Sequence, residues 1–319
     1  MVTFDKYEAL LTDSRSNHEL VELAVCADRD DLPYSDYIDT LRLRISDDVI
    51  AIAKQLCSSQ INKRRLIGID ILLRVGEMAG LAYQAVTQEL QSDDSEQHAH
   101  GIRRKALLDE QRPLIPGYTR EAIEILLPML DSEDSDGILP DVIMVIANFT
   151  DDDPRILDKL LQFVHHPNPY VRFALTRSFG DEDRSIQALI TLSSDEEVEI
   201  RDWASFGLSI HIKSNTPEIL DALYQRLDDE DEIVRGEALR GLATHGDRRV
   251  VELLLHPAAL DVPNDLLWQA MQEAFDIDDP RLRPTLQALL AEYQQKDAAL
   301  LTPGEERARQ AIECALEEE

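Results

Sequence analysis

The stretch Val234–Ala238, Val-Arg-Gly-Glu-Ala, carries the pattern that decides the fold of this 319-residue chain. The pattern is an aliphatic residue, usually an arginine, two variable residues, and then a small or aliphatic residue. Clear copies also occupy 102–106, 171–175 and 200–204, and weaker copies begin at Arg64, Ile138 and Leu266. The second position of the pattern recurs at 65, 103, 139, 172, 201, 235 and 267. A period in the mid-thirties predicts a stack of two-helix repeats.

Predicted helix starts give a second reading of the same repeat. One start, an aspartate that leads into an aliphatic run, is used four times, at Asp153, Asp183, Asp247 and Asp279. Aspartate is a favoured N-cap, and proline fits the first helical position, as at Pro154 and in Thr216-Pro217. No sustained period-2 alternation is present. We therefore predict an all-α, right-handed α-solenoid of about seven to eight helix pairs, with an N-terminal helical cap (1–45), the repeats (46–296) and a C-terminal capping helix (297–319).

The charge balance restricts the class of partner. Asp and Glu number 63 against 32 Lys and Arg, which gives a formal net charge of −31. Such a chain repels nucleic acid and anionic lipid and attracts basic proteins, although acidity also serves solubility alone. Acidic runs fall in the predicted turns within repeats (131–136, 194–199, 228–232) and between repeats (151–153, 181–183, 276–279). Stacking would align these runs along two edges of the solenoid.

The cysteines and the absence of sorting signals favour a cytoplasmic protein. Three widely separated cysteines form no C-x-x-C motif, which fits reduced thiols. The N-terminal residues show no secretory signal, and no uncharged run approaches the roughly 20 residues that span a bilayer. We expect neither a membrane nor a nucleic-acid partner.

Arginines begin the predicted second helices of five repeats, at Arg65, Arg103, Arg172, Arg201 and Arg235. They could form an exposed basic stripe. Alternatively, each guanidinium reaches an aspartate or a carbonyl in an adjoining turn and holds one repeat to the next. The many acidic residues nearby favour this structural role.

Helical geometry selects candidate contact residues on the second helices. If Val234 and Ala238 face the core, Glu237 and Arg240 project toward solvent from the same helix. The equivalent positions in other repeats are Asp141, Met144, Phe173, Arg177, Asp202, Trp203, Phe206, Trp268 and Gln272. Aromatic rings flanked by charge commonly anchor interfaces, but these rings could equally pack between consecutive second helices.

No motif for catalysis or metal binding emerges. His98-x-His100 and His165-His166 lack a matching carboxylate or cysteine pair at ligand spacing, so we interpret them as surface histidines. The chain contains no phosphate-binding loop, zinc-protease motif or nucleophile elbow. We therefore expect no enzymatic activity, no cofactor and no metal.

The period, the Val-Arg-x-x-Ala starts and the Asp-Pro-Arg caps make the chain similar to HEAT-like repeat proteins of the phycobilin-lyase type. The stretches 49–68, 200–210 and 232–238 resemble HEAT-repeat proteins encoded beside bacterial Rhs polymorphic toxins, which are regarded as immunity proteins. The resemblance covers about residues 45–290. It implies a concave face made by the second helices and no catalytic residue.

The resemblance leads to a functional hypothesis with two alternatives. The leading hypothesis is an immunity protein, monomeric when free, that sequesters a basic toxin or effector domain on its concave face. A general protein-assembly adaptor is the main alternative. A bilin-lyase-like enzyme is a weaker one, because no residue marks a tetrapyrrole groove or an acid–base group. A DNA glycosylase of similar fold would need a basic concave surface, which the net charge opposes.

Overall fold

The computed structural model describes residues 9–10, 12–73, 86–87, 89–91, 95–110, 118–131, 137–256, 260–294, 306, 309–310 and 313. These residues form helices and connecting turns, without any strand. The chain divides into two compact units, Met1–Leu160 and Leu161–Glu319. Each unit is built from stacked helix pairs, so the predicted α-solenoid class is confirmed. The predicted capping helix over 297–319 lies almost entirely outside the described residues.

Unit 1 contains eight described helices, six of which form consecutive pairs. They are α1 (Asn17–Cys26), α2 (Leu32–Leu43), α3 (Asp47–Cys57), α4 (Asn62–Leu72), α5 (Ser95–Glu110), α6 (Tyr118–Leu126), α7 (Leu139–Ile146) and α8 (Pro154–Leu160). Short 3-10 turns extend α6 and α7. The pairs α1–α2, α3–α4 and α6–α7 stack through α2 on α4, α4 on α7 and α3 on α6.

The stacking in unit 1 leaves no place for a repeat between α3–α4 and α6–α7. These pairs pack directly on each other, and the Tyr118 hydroxyl donates to Asp47 Oδ1 over 2.9 Å. The helix over 95–110, which carries the pattern copy at 102–106, therefore does not lie between these two pairs. Ile102, at the position that should face the core, is 55% exposed, whereas the equivalent Val171 and Val234 are fully buried.

Unit 2 contains the regular copies of the sequence pattern. Its helices are α9 (Pro169–Thr176), α10 (Asp183–Leu192), α11 (Val198–Phe206), α12 (Pro217–Arg226), α13 (Glu232–Thr244), α14 (Arg249–Leu254), α15 (Asn264–Glu273) and α16 (Leu282–Gln294). The second helices α9, α11, α13 and α15 stack in that order, while α10 packs on α12 and α14 on α16. One face of unit 2 is therefore made of four consecutive second helices.

Three of the four aspartates predicted to cap helices hydrogen-bond to the backbone near a helix start. The backbone N–H two residues after Asp153, Asp247 and Asp279 donates to the aspartate Oδ1 over 2.9–3.0 Å. These bonds satisfy amide groups that have no partner within the helix. In contrast, α10 begins at Asp183 without a side-chain cap, and Thr216 makes no capping bond to α12. None of the helices among the described residues has the length and apolarity of a membrane span.

Candidate protein-binding face

Two arginines of the sequence pattern tie consecutive repeats of unit 2 together. Arg172 donates to both carboxylate oxygens of Asp195 over 2.7 and 2.8 Å, and Arg201 binds both oxygens of Asp229 over 2.9 Å. Each guanidinium also donates to two backbone carbonyls in the turn before its own helix. All four side chains are at most 8% exposed. Each arginine thus connects its own turn to the turn of the next repeat.

Arg235 repeats this arrangement at a more open position. Its guanidinium donates to Asp261 Oδ2 over 2.6 Å and to carbonyls of the turn before α13. The Asp261 side chain is 89% exposed, unlike Asp195 and Asp229. We call Arg172, Arg201, Arg235 and their aspartates the arginine ladder. The structural role that the sequence favoured for these three arginines agrees with these contacts.

The buried aspartates of the ladder are held in the ionised form. Burial alone would raise the pKa of Asp195, but hydrogen bonds from Arg172 and from the N–H of Glu197 lower it below its ordinary value. The pKa of Asp229 is lowered in the same way by Arg201 and the N–H of Asp231, against the opposing effect of burial. The ladder therefore contains complete, hydrogen-bonded ion pairs.

The predicted ladder does not extend regularly into unit 1. Arg65 donates to Asn62 Oδ1 at the start of its own helix over 2.6 Å. Arg103 is exposed, and no ion pair links it to another residue that the structure describes. The prediction that Arg103 holds adjacent repeats together is therefore not supported.

The acidic turns of unit 2 divide into a structural and a solvent-facing part. One acid of each turn, Asp195 or Asp229, has its side chain buried in the ladder. The next residues, Glu196 and Glu230, are 80% and 88% exposed. The turns therefore hold more acid than capping and the ladder require. The predicted acidic residues at 132–136 lie outside the described residues.

Aromatic side chains from α9 and α11 form a continuous row on the second-helix face. The ring centroids are 5.9 Å apart for Phe173 and Trp203, 5.7 Å for Trp203 and Phe206, and 5.3 Å for Phe206 and His211. Each contact is edge to face, a favourable geometry for aromatic pairs. The Arg177 guanidinium lies 5.0 Å from the Trp203 ring centroid. We call these four rings the aromatic row.

The aromatic row combines the two roles that the sequence left open. Phe173, Trp203 and Phe206 are half-buried and pack across neighbouring second helices, while His211 and Arg177 are exposed. The rings thus contribute to packing between helices and remain partly exposed on the second-helix face. Such partly exposed, mutually supported rings have the rigidity of interface anchors.

Two predicted contact residues are instead buried. Trp268 is 1% exposed and Glu237 is 7% exposed. The cause is the close approach of neighbouring elements to α13 at its glycines. A Cβ atom on Gly236 would lie 2.5 Å from a Leu266 methyl group of α15, and one on Gly241 would collide with Ser209 Oγ. The prediction that Glu237 and Trp268 project to solvent is therefore wrong.

Glu237 is a buried carboxylate with incomplete hydrogen bonding. Its Oε2 accepts no hydrogen bond from any residue that the structure describes. Burial raises its pKa to about 7; nearby Arg240 opposes the shift, and the charges of Asp202 and Asp265 add to it. Burial also raises the pKa of Asp202, with Asp231 and Glu199 contributing. We call Asp202, Glu237 and Asp265 the carboxylate cluster.

The remaining predicted contact residues occupy varied environments. In unit 2, Gln272 is exposed and Arg240 is half-buried with an unpaired Nε. In unit 1, Met144 is 37% exposed. Asp141 is half-buried and accepts a hydrogen bond of 2.6 Å from Arg29, which also binds the buried Asp70. Asp141 therefore contributes to an internal ion-pair network of unit 1.

Sequence reasoning missed His211 and Asp265. A π-helical turn over Gly207–His211 follows α11. This turn has i→i+5 hydrogen bonding, so residues five apart, such as Phe206 and His211, come to the same side. A 3.6-residue period places them on different sides. Asp265 lies outside the predicted contact positions, and its relation to Glu237 depends on how closely α15 approaches α13.

Comparison with known proteins supports the repeat architecture. Residues 186–276 match the family described as HEAT repeats. Protein YibA of Escherichia coli K12 is 28% identical over 146 residues, which make up 45% of this chain and 51% of YibA, and YibA of E. coli O157:H7 matches to the same extent. The chain thus spans about half the length of the curated relatives it matches.

A solved structure extends the similarity in fold. The X-ray structure of E. coli YibA aligns with a TM-score of 0.63 and 22% identity, covering 98% of this chain and 96% of that one. At this identity the likeness concerns the fold alone. HEAT-repeat arrays typically serve as protein-binding scaffolds, because stacked repeats create long binding surfaces.

Proposed function

We propose that this chain is a non-enzymatic scaffold that binds a basic protein through the second-helix face of unit 2. The observation that carries the proposal is the aromatic row, in which Phe173, Trp203 and Phe206 support one another and remain half exposed. Large rings held in this way bury much apolar area with little loss of conformational entropy.

The charge of the chain supports a basic partner. The net charge is −31, and the turns of unit 2 present exposed carboxylates at Glu196, Glu230 and Asp261. Such a field raises the rate of encounter with a cationic protein and disfavours nucleic acid and anionic membranes.

The more specific role that we propose is immunity, by sequestration of a cognate bacterial toxin domain. The resemblance of 49–68, 200–210 and 232–238 to proteins encoded beside Rhs toxins supports this role. In this mechanism the face of unit 2 covers the functional surface of the toxin. A standard interface buries about 1,600 Å² in total, which four consecutive second helices can supply.

Co-purification with the product of the adjacent gene tests this function. We expect a stable complex, and we expect this chain to rescue cells that express the neighbouring protein. A variant with Trp203→Ala should bind and rescue less well than the wild type.

The results separate the immunity role from its alternative. Absence of binding or of rescue would exclude the immunity role. Binding to a neighbour that is harmless to cells would instead support a protein-assembly adaptor.

A further inference from the structure

Glu237 is a buried charge that the packing of the repeats does not require. The same pattern position is occupied by Ala174, Trp203 and Gln269 in the other repeats of unit 2. Glu237 as a whole residue is 7% exposed, and its Oε2 lacks a donor among the described residues. An unsatisfied buried carboxylate is costly, since a buried polar group without a partner loses its bonds to water. A ligand that supplies the missing donor would remove this cost.

The surroundings of Glu237 favour a positively charged donor. Asp202 on α11 and Asp265 on α15 act on Glu237 from the two helices packed against α13. The opposing charge is Arg240, which forms no ion pair with any residue that the structure describes, and whose Nε is itself unpaired. The charged groups around the Glu237 side chain are therefore three carboxylates, its own included, and one arginine.

The π-helical turn connects this place to the rings. Ser209, within the turn, donates its hydroxyl to the backbone carbonyl of Glu237 over 2.9 Å. The same turn carries His211, the last ring of the aromatic row, 5.3 Å from Phe206. Irregular π turns inside helices are frequent at functional sites. The turn therefore joins the helix of the aromatic row to the backbone of the unpaired carboxylate.

We propose that the carboxylate cluster is the receptor for one arginine side chain of the partner protein, inserted beside the aromatic row. This assignment rests on the proposed protein-binding function and adds to it the residue that is recognised. A guanidinium carries five forked N–H donors, enough to bond Glu237 and a second carboxylate at once. It also stacks on aromatic faces, and Arg177 already lies 5.0 Å from the centre of the Trp203 ring.

The two tryptophans of the chain provide a direct measurement. Trp203 belongs to the aromatic row, whereas Trp268 is 1% exposed and serves as an internal control. The experiment is an NMR titration of the two indole N–H resonances with the capped peptide acetyl-Gly-Arg-Gly-amide at pH 8. We expect a saturable shift of the Trp203 resonance and a much smaller change for Trp268. The peptide with citrulline in place of arginine keeps the shape without the charge and should bind at least about tenfold more weakly.

Two matched variants test whether Glu237 is the acceptor. Glu237→Gln removes the charge with little change of shape, and we expect the affinity for the arginine peptide to fall by about tenfold or more. Glu218→Gln removes the same charge from an exposed side chain on α12, a first helix outside the second-helix face, and we expect the affinity to stay within about twofold. Circular dichroism of both variants verifies that they fold.

Three results would overturn the proposal. One is equal loss of affinity in both variants, which would mean that the peptide senses only the general negative field. Another is equal affinity for the citrulline peptide or for the corresponding lysine peptide, which would exclude recognition of a guanidinium. The third is an identified protein partner that binds Glu237→Gln as tightly as the wild type. That outcome would remove the arginine receptor and leave the proposed protein-binding function intact.

Discussion

Unit 2 buries acidic side chains in two contrasting ways. In the arginine ladder, Asp229 receives both arms of Arg201 and the backbone N–H of Asp231, and its pKa is lowered. On the neighbouring face, Glu237 is buried to a similar extent, but one of its oxygens has no donor and its pKa is raised to about 7. The first arrangement joins repeats, and the second costs stability. The difference fits our proposal that the ladder serves the fold and the carboxylate cluster serves binding.

The largest effect should come from breaking a buried rung of the ladder. Replacing Arg172→Met keeps most of the side-chain volume but leaves Asp195, whose side chain is 8% exposed, without an ion-pair partner among the described residues. We expect the unfolding free energy of unit 2 to fall by about 3–5 kcal/mol, because an unpaired buried charge remains. Urea denaturation followed by circular dichroism measures the change.

The outer rung of the ladder provides a matched control. Arg235→Met removes the same type of side chain, but its partner Asp261 is 89% exposed and remains hydrated. We expect a loss of only about 1 kcal/mol. Equal losses in the two variants would show that burial of the aspartate is not what makes the ladder important.

Glu237→Gln, unlike the ladder variants, should raise the free energy of unfolding at alkaline pH. Because the pKa of Glu237 is raised from its ordinary 4.5 to about 7, the folded state prefers the protonated form. Its contribution to stability is therefore fully present below about pH 4.5 and is lost as the pH rises through 7. At pH 8 the variant should be more stable than the wild type by up to about 3 kcal/mol, and the difference should vanish near pH 4.

Urea titrations of the wild type and Glu237→Gln across this pH range measure the difference. Glu230→Gln is the control, since its side chain is 88% exposed and no comparable trend is expected. The groups that face Glu237 are Asp202, Arg240 and Asp265, so a parallel curve for Asp202→Asn would assign the transition to the cluster as a whole. A wild type that is more stable than Glu237→Gln at pH 8 would contradict the contrast between ladder and cluster.

The two regions also differ in how far the sequence predicted them. The ladder follows from local rules: arginine at a fixed position of each repeat and aspartate in each turn, so that Arg172, Arg201 and Arg235 could be assigned a structural role in advance. The exposure of Glu237 depends on how closely the next helix approaches α13, and the periodicity of the sequence does not contain this distance. Gly236, the residue before Glu237, allows Leu266 of α15 to lie against α13.

Local similarity was also insufficient in unit 1. The segment 102–106 matches the repeat pattern as well as 171–175 does, yet Ile102 is 55% exposed and α5 lies outside the stack of pairs. The pattern specifies a helix and its apolar side. Only the packing of α3 on α6 and of α4 on α7 decides which helices belong to the stack. The all-helical repeat class was therefore predictable, whereas the order of stacking was not.

The aromatic row should contribute to partner binding more than to folding. Trp203→Ala removes a half-buried ring that contacts both Phe173 and Phe206, and we expect affinity for the partner to fall by about 2 kcal/mol, or roughly 30-fold. Isothermal titration calorimetry measures the loss. The control is Tyr170→Ala, because Tyr170 is a 73% exposed ring at the start of α9 with no part in the row. Equal affinities for the two variants would place the interface elsewhere.

Among the effects on partner binding, the smallest should be that of salt concentration. Its influence on the two binding rates distinguishes the exposed acidic residues from the buried ones. The exposed Glu196 and Glu230 act at long range, so raising ionic strength from 0.01 to 0.15 M, which shortens the Debye length from about 30 to about 8 Å, should slow association by about tenfold. The buried Glu237 acts at contact distance, where screening is weak, so dissociation should change much less. Stopped-flow measurement of both rates tests this separation. An association rate that is independent of salt would exclude electrostatic steering. A dissociation rate that rises with salt as steeply as the association rate falls would mean that the interaction of Glu237 is screened like that of the exposed turns.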